Sequence, residues 1–166
     1  EGAVALVSDG RRAALVHLKC ETDFSAKSDG FLLLVDQLVN AVLAEGEAAV
    51  EAHSTAIDDL RLIIKENVEV GRVSLIEAAE GNVLDTYLHV QDGRGVNGVV
   101  VEGSGVDQET LHQVALHIAF AKPTVLTREE VASDLVERER AALLEITKAE
   151  GKPEQAWDKI VEGRLT

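Results

Sequence analysis

Methionine is absent from this 166-residue chain, and aromatic side chains are scarce: three Phe, one Tyr and one Trp. A core therefore has to be built from Val, Leu, Ile and Ala, and at 46% hydrophobic residues there is enough for one domain or two small ones sharing an interface. The single cysteine, Cys20, has no partner for an internal disulfide, which fits a reducing compartment. It reads as a small apolar residue at the end of a strand. Positive charge is also in deficit, with 16 Lys and Arg against 30 Asp and Glu, a net charge of −14. Such a surface repels phosphate backbones, which argues against direct nucleic-acid binding. It suits solubility, or a basic patch on another protein. No apolar run approaches the roughly 20 residues that span a bilayer, and no signal-peptide layout is visible, so no membrane partner is expected. The chain opens on Glu1-Gly2 without Met, as a fragment or processed product would.

What is present is ordered by turns. Ala3 to Val7 reads as a strand, Asp9-Gly10 as a tight turn and Arg12 to Cys20 as the return strand. A helix is predicted from about Ser28, where a short oxygen-bearing side chain can cap it, to Glu45, with Gly46 ending it. Ile57, Leu60, Ile63 and Ile64 recur at helical spacing, predicting a second helix over about 54–67. Residues 68–76 read as a third strand. Val83 to Gln91 and Val96 to Glu102 form a second hairpin around Asp92-Gly93. Asp107 caps a helix to about Lys122, with Leu111, Val114, Ala115 and Ile118 on one face, until Pro123 forbids its continuation. Asp9-Gly10-Arg11 and Asp92-Gly93-Arg94, each with strands and a following helix, form a weak internal repeat. Thr127 to Glu130 fits a capping box. A long charged helix follows, then Gly151-Lys152-Pro153 and a last helix with Ala156, Trp157, Ile160, Val161 and Leu165 as a stripe. The expectation is an α+β fold. Two related small subdomains, 1–80 (β-β-α-α-β) and 81–126 (β-β-α), each pair an antiparallel hairpin with covering helices. Residues 127–166 form an antiparallel helical hairpin.

Catalytic templates fail. The five histidines are scattered, and His112 and His117 lie about 140° apart around a helix, off the shared face that metal ligands need. No paired cysteines, nucleophile elbow or phosphate-binding glycine loop with its lysine occurs, and carboxylates populate solvated helix faces. Neither an enzyme nor a cofactor or metal protein is indicated; an interaction protein remains. The segment that stands out is Thr22-Asp23-Phe24, a Phe among polar neighbours between a strand and a helix. Burying a Phe is worth about 1.5–3 kcal/mol. Phe24 either folds back onto its own core or is offered to a partner.

Cys20-Glu21-Thr22-Asp23-Phe24 followed by Ala26-Lys27 resembles the signature of the elongation factor Ts family. Collinear matches follow at Glu66-Asn67, Arg72-Val73, Glu80-Gly81, Tyr87 with His89, and Gly98-Val99. They continue at His117-Ile118-Ala119, Lys122-Pro123, Gly151-Lys152-Pro153 and Ile160 to Leu165, so nearly the whole chain is covered. The resemblance implies a guanine nucleotide exchange factor for elongation factor Tu, in the bacterial cytoplasm or in a plastid or mitochondrion. It implies that an Asp23-Phe24 wedge, set among Thr22, Ala26 and Lys27, enters the GTPase near its Mg²⁺ and phosphate sites. Ile64 would border the wedge, and His89 and His117 to Ala119 would form further contacts. The helical hairpin would be a projecting coiled-coil insertion. This sequence departs from the pattern at Ser25 (usually Val), Lys65 (usually Gly), Gly71 (usually Arg) and Asn97 (usually apolar). The family's N-terminal helical module and the last strand of the second subdomain have no counterpart here. The competing reading is a scaffold, or a module that forms a homodimer through the hairpin, without exchange activity.

Overall fold

A computed structural model describes residues 1–165; Thr166, the last residue of the expected hairpin, lies outside the described residues. Residues 1–122 form one compact unit, and the chain from Pro123 forms another.

In the first unit, β1 (Gly2–Ser8), β2 (Arg12–Lys19) and β3 (Glu69–Glu77) make an antiparallel sheet in that order. Alternation in β2 sends Ala14, Val16 and Leu18 to one face, all fully buried. That face is covered by helix α2 (Asp29–Glu45), whose Phe31, Leu34, Val35, Leu38, Val39 and Val42 are buried. Gly46 ends α2 with φ 99°, a conformation glycine adopts freely.

The stretch predicted as one helix over 54–67 is shorter. A one-turn helix α3 (Ala49–Ala52), not anticipated, precedes α4 (Ser54–Ile64). Lys65 stops α4 by turning left-handed, φ 58°, with its amide donating to the Arg61 carbonyl. That conformation disfavours side chains, which gives a physical reason for the Gly in the family pattern. Ile57, Leu60 and Ile64 pack inward on one face of α4, but Ile63, about 100° around the helix from Ile64, is 75% exposed.

The second sheet is β4 (Val83–Gln91) with β5 (Arg94–Gly103), two-stranded among the described residues, around Asp92 and Gly93, both at positive φ. Helix α5 (Gln108–Ala121) lies on it through Leu111, Ala115 and Ala119, with Ile118 against the same cluster. Val114, expected on that face, is 42% exposed. Strand β5 runs against β1 so closely that a Cβ on Gly95 would lie 2.1 Å from the Val4 carbonyl oxygen.

In the second unit, helices α6 (Ser133–Ala149) and α7 (Trp157–Leu165) pack as a hairpin, preceded by single-turn segments at Arg128–Glu130 and Glu154–Ala156. The Thr127–Glu130 capping box forms as expected. Trp157 stays within the hairpin: its indole donates to the Lys152 carbonyl, and Lys148 lies over its ring. The fold is α+β, as the sequence pattern indicates. No helix among the described residues is long and apolar enough to cross a membrane.

Candidate protein-binding site

The segment expected as a plain turn is a one-turn helix, α1 (Asp23–Ala26), capped by Thr22, whose hydroxyl accepts from the Ser25 amide. Ala26 is fully buried beneath it, while Phe24 is 83% exposed. Of the two fates open to Phe24, the structure shows exposure. Asp23 pairs with Lys27 at 2.8 Å, and Lys27 also reaches Asp92 in the β4–β5 turn at 3.5 Å. The Lys27 ammonium holds the Asp23 carboxyl below its usual range, and Asp23 raises Lys27 in return.

Beneath α1, the Glu66 carboxylate accepts four hydrogen bonds. The amides of Glu21 and Thr22 donate to Oε2, both at 3.0 Å. The hydroxyls of Thr22 and Ser25 donate to Oε1 at 2.6 and 2.7 Å. These hydroxyls, Thr22 first, hold Glu66 down to about 2. Glu21 reciprocates by accepting from the Asn67 amide at 3.1 Å. Cys20 is buried below, its thiol donating to the Thr22 carbonyl, and burial followed by the Glu66 charge raises its pKa.

The other expected residues lie elsewhere. Ile64 is half-buried against the main core, two residues before Glu66. His89 is exposed on β4, its ring stacked on Tyr87. On α5, His117 faces solvent, Ile118 is half-buried and Ala119 belongs to the core. His89 and Ala119 border one open groove of about 580 Å³ with Tyr87, Val96, Asn97 and Phe120. Asn97 earns its place there by donating to the Ala119 carbonyl at 2.9 Å. Phe120, 88% exposed, was not anticipated. It lies off the inner stripe of α5, and that spacing is the signal that could have found it. No group of three or more metal-ligating side chains occurs among the described residues.

The family model described as elongation factor TS matches residues 21–166. The chain belongs to the elongation factor Ts family. It is 43% identical to the elongation factor Ts of Clavibacter michiganensis subsp. michiganensis, an alignment covering 100% of this chain and 64% of that protein. Identity to the elongation factor Ts of Idiomarina loihiensis is 39%, over 99% of this chain and 58% of the relative. For the Yersinia pestis elongation factor Ts it is 36%, over 95% and 54%. The chain thus spans less than two thirds of the length of these family members. The family-model match includes α1 and Glu66, and the alignment to the Clavibacter michiganensis protein also takes in β1 and β2.

Proposed function

We propose that this chain binds elongation factor Tu and promotes release of its GDP, with Asp23 and Phe24 as the inserted wedge. The observation that carries this is Phe24 itself: an 83% exposed aromatic ring on a one-turn helix that is tied to the core on its other side. Membership of the elongation factor Ts family supplies the partner.

The wedge acts by differential binding. Mg²⁺ bridges nucleotide phosphates and neutralises much of their charge. An aromatic ring and a carboxylate pushed between the helices beside that site displace the groups that hold the ion and phosphates. The factor then binds the nucleotide-free GTPase more tightly than the GDP-bound form, and by linkage GDP binds the complex more weakly. No bond is made or broken, so the chain needs no catalytic group of its own. His89 and His117, both exposed, form a second contact surface, and the α6–α7 hairpin serves as a further contact element.

The test is the dissociation rate of a fluorescent GDP from elongation factor Tu, with and without the chain. Acceleration that rises and saturates with chain concentration is expected. A complex that forms without acceleration would favour the scaffold reading, and absence of any complex would overturn both.

A further inference from the structure

We infer that Glu66 is a positioning residue for the wedge: its carboxylate fixes the backbone from Glu21 to Ser25 and so sets where Phe24 points. This rests on the exchange reading of α1.

Helix α1 is four residues long and cannot hold itself. A first helical turn fixes several dihedrals for very few hydrogen bonds, so it needs outside support. Phe24, almost fully exposed, adds little packing of its own. The support comes from a residue more than forty positions away in sequence. Both Glu66 oxygens are used, one by two backbone amides and the other by two hydroxyls, and all four donors lie in the segment that carries Phe24. The return bond from the Asn67 amide to Glu21 closes the arrangement from the opposite side. Charge-assisted bonds of this kind are short and directional.

Ser25 has a part in this. Its hydroxyl is one of the two donors to Oε1, so the polar residue in place of the family's usual Val adds a tie between α1 and Glu66. A segment ordered before binding loses less entropy on docking. Glu66 thus acts on the partner only through Phe24, and its removal leaves the remaining contact surfaces in place.

The experiment measures release of fluorescent GDP from elongation factor Tu at increasing concentrations of wild type, Glu66→Gln, Ser25→Ala and the double variant. Amide exchange of each free chain is followed in parallel. Glu66→Gln is expected to lower the plateau rate about tenfold while the half-saturating concentration moves less than about threefold. The Glu21 and Thr22 amides should exchange about tenfold faster in the same variant. Ser25→Ala should lower the plateau about two- to threefold, and the double variant should fall no lower than Glu66→Gln, because both act through one network. A Glu66→Gln plateau equal to wild type would overturn the proposal, as would unchanged exchange at Glu21 and Thr22. If circular dichroism shows Glu66→Gln unfolded, Ser25→Ala decides alone: a lowered plateau with an unmoved half-saturation supports the proposal, and an unchanged plateau overturns it. If wild type itself fails to accelerate release, the exchange reading falls and the positioning role falls with it. The amide exchange then still reports whether Glu66 orders α1.

Discussion

Two regions of the first unit each present a phenylalanine to solvent, Phe24 on α1 at 83% and Phe120 near the end of α5 at 88%. They differ in what lies behind the ring. Phe24 stands on a segment tied down by Glu66, by the Asp23–Lys27 pair and by a buried Ala26. Phe120 stands on the last turn of a fourteen-residue helix, beside an open groove. Its neighbour Ala119 is held by Asn97, but among the described residues no comparable set of charge-assisted bonds is directed at that turn. An exposed ring is a cheap feature; a short segment stiffened to carry one is not. That difference is the reason the proposed wedge is placed at Phe24 and not at Phe120.

The third phenylalanine gives the scale against which both can be judged. Phe31 is fully buried at the head of α2, so Phe31→Ala should lower unfolding free energy by about 3–5 kcal/mol, measured by urea denaturation. Phe24→Ala should leave stability within about 0.5 kcal/mol, as exposed sites do. It should nonetheless cut the acceleration of GDP release about tenfold or more, which corresponds to about 1.4 kcal/mol or more. Phe120→Ala should be equally neutral for folding and change release less than about threefold. Equal losses of release from the two variants would break the contrast between these regions.

A smaller effect sharpens the contrast from below. Lys65 holds a left-handed conformation directly before Glu66. Lys65→Gly should therefore raise stability by about 1 kcal/mol in thermal unfolding. If Glu66 keeps its hydrogen bonds, release should be unchanged.

The smallest effect is in pH. Glu66 is held at about 2 in the folded chain, below the ordinary glutamate value of 4.5. Its contribution to stability is fully present above pH 4.5 and is lost as pH falls from there towards 2. The difference in melting temperature between wild type and Glu66→Gln should be constant above that window and shrink within it. A difference that does not change with pH would mean that the Glu66 charge contributes nothing to folding.

Much of this architecture was legible in the chain. Gly46, Asp107 and Pro123 mark helix ends through local chemistry that acts within a turn. Ser28 does stand at the start of α2, but its hydroxyl donates to the Ser25 carbonyl instead of capping the helix as expected. Strand β4 runs from Val83 to Gln91 as its pattern predicts. Ile63 misled because an unbroken run of apolar residues hides which of them faces in. Helices α1 and α3, at four residues each, are too short to show a period. Glu66 was visible only as part of a collinear match; its four donors lie 41 to 45 residues away, and no local pattern encodes such a pairing. Phe120 lies off the inner stripe of α5, so the apolar pattern that marks the core does not single it out.

The position of Cys20 has one more consequence. It is the sole cysteine in the sequence, buried under α1 with its thiol bonded to the Thr22 carbonyl and its ionisation suppressed. Thiol reagents attack the thiolate, so Cys20 becomes reactive when the wedge segment lifts away. The unmodified chain therefore carries its own chemical clock: the rate at which an alkylating reagent marks it reads out how often that segment opens.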